Sequence, residues 1–259
     1  MSNKKKRRRA ARRLRRRLHN AVPEKTVCAV DPFDPNSFAT GIMTGDKSTG
    51  ACAPETAMSV PVKLLVFDMG HVFVRFDWSS VCQGFCDRVG CSRETFREVL
   101  AHVGSLGYET GKVNTEVFLQ EMNAKLGANL TVGEFTHLWN ADFDEDPEMA
   151  SLLQALGKRF PVFLLSNTNE NHYAFLQGRF NVARHFKELI LSYQVGLAKP
   201  DQRIYELVIE RSGFAAAECV FIDDLEVNVQ AARAVGMRAI QFVGIDDLKR
   251  RLSEMGVDC

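Results

Sequence analysis

The sequence predicts an α/β protein: a parallel sheet flanked by helices, with an all-helical segment inserted after the first strand. Three observations carry this. Leu64-Leu-Val-Phe67 is a short unbroken apolar run between Pro61 and Gly70, which suits a strand buried on both faces. Further apolar runs at 162–165, 189–191, 220–222 and 239–243 alternate with stretches of helical periodicity, the mark of a parallel sheet covered by helices. Between the first run and the second, from residue 78 to about 157, the pattern is helical throughout.

The 259 residues, 46% hydrophobic and 25% charged, suffice for one sizeable α/β domain with a smaller insert. The formal charge of +1 hides an asymmetry. Residues 1–20 hold 11 of the 33 Lys and Arg and no acid, so residues 21–259 carry 22 bases against 32 acids, a net of −10. The folded part is thus acidic and lacks a nucleic-acid footprint. Residues 3–18 are a block of like charge expected to stay disordered alone, compatible with nuclear targeting, an RNA-binding arm or a transit peptide. Nucleic acid is expected only there, if anywhere. Residues 21–57, rich in Pro, Gly, Ser and Thr, read as linker, so 1–57 forms an extension outside the domain, or precedes a true start at Met58. No apolar run approaches a bilayer-spanning length. Seven cysteines without a secretory signal favour free thiols and a cytoplasmic location. Cys82, Cys86 and Cys91 lack zinc spacing and read as small buried hydrophobes.

In the helical stretch, Asn114 is placed to cap a helix carrying Val117, Phe118 and Met122, with Gly127 at its end. Thr131-Val-Gly-Glu134 is a capping box opening a helix with Phe135, Leu138 and Trp139 on one side. Asp146-Pro147 starts another, with Met149, Leu152, Leu153 and Leu156 on one face. Residues 78–145 therefore form a helical subdomain, and 58–77 with 146–259 the core. Later, Ile204, Leu207 and Val208 mark a helix after Pro200, and Val227, Ala231 and Val235 one before Gly236.

Polar residues follow the strand-like runs in a consistent way. Asp68 follows the first, Ser166-Asn167 the second, Lys199 lies beyond the third, and Asp223-Asp224 close the fourth. Parallel strands would bring all of them to one sheet edge, where open α/β sheets bind ligands. Taken singly, each has a plainer reading: a solvated turn, an Asx or ST turn, a surface lysine.

In this order the motifs resemble those of the HAD (haloacid dehalogenase-like) superfamily. The resemblance covers residues 61–255 and includes the place of a type 1 helical cap on a Rossmannoid core. The chain is most similar to the bacterial glucose-1-phosphate phosphatase-like group, whose first motif reads Asp-x-Gly-x-Val, here Asp68-Met-Gly-His-Val72. Tyr108-Glu-Thr-Gly-Lys112 and Leu165-Ser-Asn-Thr-Asn169 add to the similarity. The resemblance implies that Asp68 attacks phosphorus to form an aspartyl-phosphate. It implies phosphate contacts from Ser166, the backbone of Asn167, Lys199 and Gly70. It further implies a Mg²⁺ ion on Asp68, the Gly70 carbonyl and Asp224, with Asp223 in or just behind the ligand set. A small phosphorylated metabolite, such as a hexose 1-phosphate, is the implied substrate.

One departure stands out. Most phosphatases of this superfamily carry a second Asp, the leaving-group acid, two residues after the nucleophile, where this chain has Gly70. General acid catalysis is worth about 10²–10⁴-fold. His71 is a candidate substitute, or simply a loop histidine. The same departure allows a 2-haloacid dehalogenase, which needs neither the acid nor the metal, although Asp223-Asp224 argues for phosphoryl transfer. A catalytically weak binding or regulatory module is the third reading. Phe76, Trp78, Tyr108, Glu109, Trp139 and Asn140 are candidates to line the substrate pocket, each aromatic also being a candidate for the insert's own core.

Overall fold

The computed structural model describes residues 60–258. The expectations for residues 1–57 lie outside them. The first strand, β1 (Leu64–Phe67), is buried at all four positions, as its unbroken apolar sequence requires. Four more strands join it in one sheet: β4 (Val162–Ser166), β5 (Glu188–Leu191), β6 (Cys219–Asp223) and β7 (Arg238–Gln241). The order is β5-β4-β1-β6-β7 and every pairing is parallel. The chain thus builds to one side of β1, then returns to build on the other. The carboxyl end of β1 lies at that reversal, where sheets of this kind bind ligands.

Strand alternation divides the core between the two faces. Leu65, Phe67, Leu164 and Ile222 pack with Met149, Leu152 and Leu156 of α5 (Pro147–Leu156), Leu176 of α6 (Glu170–Phe180), and Leu248 and Leu252 of α10 (Ile245–Glu254). Leu64, Val66, Leu165 and Phe221 pack with Ile204, Tyr205 and Val208 of α8 (Gln202–Ser212) and Val229 and Ala232 of α9 (Glu226–Ala234). A short α7 (Ser192–Val195) follows β5. The helix expected after Pro200 starts at Gln202, where the Asp201 side chain accepts from the Arg203 N–H and so caps it.

Between β1 and α5 lie α1 (Trp78–Val89), α2 (Arg93–Gly104), a 3₁₀ turn (Tyr108–Thr110), α3 (Thr115–Leu126) and α4 (Val132–Trp139). They have a separate core that includes Phe85, Phe96, Phe118, Phe135 and Trp139. Asn114 caps α3, and Thr131 and Glu134 close both halves of the capping box of α4. Cys82 and Cys86 are buried in this core, and no described cysteine is in a disulfide. Among the described residues no helix is long and apolar enough to cross a membrane.

A feature without a sequence signal marks the chain's passage into and out of the insert. β2 (Val74–Arg75) pairs antiparallel with β3 (Asp144–Glu145), two residues each. Strands this short carry no readable alternation.

The insert is fastened to the N-terminal turn of α6. Glu170 Oε1 accepts from the N–H and hydroxyl of Thr115 at 2.6 and 2.7 Å. Asn171 accepts from Asn140 at 2.6 Å and donates to Thr136 at 2.7 Å. His172 Nε2 donates to the Trp139 carbonyl at 3.1 Å. Gly111 completes the contact. It sits at φ 67, and a Cβ there would lie 2.1 Å from the Tyr193 carbonyl oxygen. Gly111→Ala must therefore push the insert's turn away from α7 as well as strain the backbone, and is expected to lower stability by about 1–3 kcal/mol. Denaturant unfolding checks this; a loss below about 0.5 kcal/mol would show that the contact yields freely.

Candidate active site

Each strand end delivers its polar residue to the same edge of the sheet. Asp68 directly follows β1, its N–H donating to the Ile222 carbonyl at 2.9 Å. Ser166 and Asp223 are the last residues of β4 and β6, and both are buried. Lys199 comes from the loop after α7, and its ammonium lies between two carboxylates, 2.6 Å from Asp68 Oδ1 and 2.6 Å from Asp223 Oδ2.

The Lys199 loop is set by Asn167. That side chain accepts from the Lys199 N–H at 2.8 Å and donates to the Lys199 carbonyl at 2.9 Å. Asn167 therefore does more than the backbone contact expected of it: it fixes the lysine's origin. Asn228, on the first turn of α9, donates to both Asp223 oxygens at 2.9 and 3.1 Å, and the Leu225 N–H adds a bond of 2.9 Å. Sequence reasoning missed Asn228. The available signal was a polar residue between Val227 and Val229, five positions after Asp223. Both Asp223 oxygens are thus engaged, one of them also by the Lys199 ammonium. The Ser166 hydroxyl makes only a long 3.3 Å contact to the Asn167 carbonyl.

Electrostatics here are dominated by burial and like charge. Burial pushes the Asp68 carboxyl up to about 7; Lys199 pulls against it, while Asp223 and Asp224 add to it. Asp224 is raised by burial and by Asp223, with His71 and Lys199 opposing. Burial disfavours the Lys199 ammonium, but Asp223 and Asp68 overcome that and hold its pKa above the ordinary lysine value.

Asp68, Asp223 and Asp224 each offer an oxygen, all within 4.8 Å of one another. Two carboxylates about 4 Å apart repel by ~4 kcal/mol at an effective dielectric of about 20, so one lysine leaves the cluster under-neutralised. The Asp224 carboxylate takes part in no ion pair among the described residues. An all-oxygen set with surplus negative charge fits a hard divalent cation such as magnesium.

A cavity of about 190 Å³ opens over the cluster. Asp68, Gly70, Ser166, Asn167, Lys199 and Asp224 all face it; Asp223 belongs to the same cluster but does not line the cavity. The insert side contributes Trp78, Glu109 and Phe143, and Phe76 borders it from the stem. Tyr108, Trp139 and Asn140 do not reach it: Tyr108 stacks on Phe118, Trp139 on Phe135, and Asn140 bonds Asn171. His71 is exposed, stacks on Phe76 with ring centroids 4.3 Å apart, and has φ 53. His172 is pushed down to about 4 by burial and is neutral near pH 7. A larger groove, about 980 Å³, lies at the amino ends of β4 and β5 among Lys158, Arg159, Arg184 and Lys187, away from the acids.

A parallel α/β sheet with these residues at its strand ends, and a helical insert above them, defines the class. The family model "haloacid dehalogenase-like hydrolase" matches residues 62–236, and the chain belongs to that family. It is 28% identical to the D-ribitol-5-phosphate phosphatase of Bacteroides thetaiotaomicron over 201 residues, 74% of this chain and 97% of that protein. It is 26% identical to a sesquiterpene phosphatase of Aspergillus oryzae, over 70% of this chain and 89% of that one. A crystal structure of a HAD family enzyme from Bacteroides thetaiotaomicron, in complex with magnesium and inorganic phosphate, is similar with a TM-score of 0.64. It is 26% identical, over 70% of this chain and 93% of that one. The chain is a hydrolase of this family, and the first two relatives are named phosphatases.

Proposed function

We propose that the protein is a magnesium-dependent phosphatase of small phosphorylated metabolites, with sugar phosphates such as hexose 1-phosphates foremost. The observation that carries this reading is the placement of Asp68 beside Lys199 and Asp224 at the end of β1, in a cavity shared with Ser166 and Asn167. The phosphatase relatives, one acting on a polyol phosphate by its name, support the substrate class. The helical insert, residues 78–145, acts as the cap over the 58–77 and 146–259 core. The free cysteines among the described residues suit a cytoplasmic enzyme.

Asp68 is the nucleophile, and its carboxylate displaces the ester oxygen to give an aspartyl-phosphate that water then hydrolyses. Lys199 and the Ser166 hydroxyl, with the Asn167 N–H, hold the phosphoryl oxygens. Asp223, braced by Asn228, fixes the ammonium, so little reorganisation is needed as charge moves. Magnesium, held by Asp68, the Gly70 carbonyl and Asp224, would offset charge on the transferred group.

The test is a panel of sugar phosphates, nucleotides and 2-haloacids, assayed with and without Mg²⁺. Phosphate release should require the ion and vanish with a chelator, and Asp224→Ala should lower it by about 10²-fold or more. Chelator-insensitive halide release with no phosphatase activity would overturn this reading in favour of a dehalogenase.

A further inference from the structure

We propose that Glu109, on the short turn of the insert, is the general acid that protonates the leaving oxygen, the role for which position 70 has no side chain. This rests on the phosphatase reading above. Three observations lead to it.

The first is that the sheet side is tight where the missing group would stand. A Cβ on Gly70 would lie 3.3 Å from Phe76 Cε1, and the Phe76 ring is itself packed between His71 and Phe143. The second is that Glu109 faces the cavity containing Asp68, Ser166 and Lys199, but comes from the insert rather than from a strand end. In-line displacement puts the leaving oxygen on the side of phosphorus away from Asp68, towards the insert. The third is that the Glu109 carboxyl has no hydrogen bond or ion pair among the described residues, while its turn is held firmly. Tyr108 bonds Thr115 at 2.9 Å, Thr115 bonds Glu170, and Gly111 abuts the Tyr193 backbone.

The charge state agrees. Glu109 borders the cavity yet is ringed by protein, and burial pushes its carboxyl up to about 7, with Lys199 opposing. The other titratable groups of this region are Tyr108 and Lys112 on the same turn, Glu170 and Tyr193 packed against it, and Asp68, Asp224, Lys199, His71 and His172 around the cavity. The two histidines are poor alternatives. His172 spends Nε2–H on Trp139 and receives Asn169 at Nδ1, and His71 is exposed with its ring stacked on Phe76.

The steps balance. An Asp68 oxygen bonds phosphorus as the phosphorus–ester oxygen bond breaks. The departing oxygen keeps that electron pair and takes the Glu109 proton, giving the alcohol and a Glu109 carboxylate. Water then attacks phosphorus, passes a proton to Glu109, and releases inorganic phosphate and the Asp68 carboxylate.

Glu109→Gln tests this with two esters, p-nitrophenyl phosphate, whose leaving group needs no proton, and ribitol 5-phosphate, whose alkoxide does. First-turnover ester cleavage should fall about 10²–10⁴-fold for the alkyl ester. The first-turnover burst of p-nitrophenolate should stay within about threefold of wild type, under 1 kcal/mol on the barrier. In the wild type, kcat/KM for the alkyl ester should fall as pH rises through about 7, and the variant should lose that limb. Equal loss on both esters, or no loss on either, overturns the assignment. A wild type inactive on these two esters and on every phosphate of the panel above overturns the phosphatase reading, and this inference with it.

Discussion

Asp68→Asn abolishes turnover and leaves the fold intact. The amide is nearly isosteric but a poor nucleophile, so the expected loss exceeds about 10³-fold, or ~4 kcal/mol on the barrier. Structural damage should be slight. Asp68 is one of three clustered carboxylates, and removing its charge relieves repulsion from Asp223 and Asp224, while Lys199 keeps its 2.6 Å partner in Asp223. Steady-state assay and thermal unfolding of the same preparation provide the check. Residual activity within about tenfold of the parent, with an unchanged melting temperature, would show that another group attacks phosphorus.

Lys199→Met is expected to damage both function and fold. The ammonium is the cation joining two buried acids, and its side chain is 2% exposed. Removing one partner of a buried ion pair costs about 3–5 kcal/mol, because the charge left behind has neither water nor counter-ion. Activity should fall below detection, since the phosphoryl contact is lost as well. Adding Asp223→Asn removes one stranded charge, so the double variant should regain part of the stability without regaining activity. Urea unfolding of both variants decides the matter. A single variant within about 1 kcal/mol of the parent would mean that the cluster does not depend on Lys199 for its neutralisation.

What the sequence determined by itself was whatever depends on neighbours along the chain. The Asn114 cap, the Thr131–Glu134 box and the Asp146-Pro147 start appear where the pattern puts them, because caps are satisfied within a few residues, and the apolar run at β1 is itself contiguous, although its pairing partners are not. The order of polar residues after strands was equally legible, since a parallel sheet sends every such residue to one edge. Tertiary structure alone decided the rest. The β2–β3 pair joins residues 69 and 71 positions apart with too few residues for periodicity to register. Asn167 holds a lysine backbone 32 residues away, and Asn228 braces Asp223 from a helix turn; neither partnership has a spacing rule. Position 70 shows the difference most plainly. Sequence reveals that a carboxylate is missing there, but only packing places the Phe76 ring against that position and a half-buried Glu109 across the cavity. Such long-range contacts depend on how separate elements dock, and docking is set by the summed shape of two cores rather than by any local pattern.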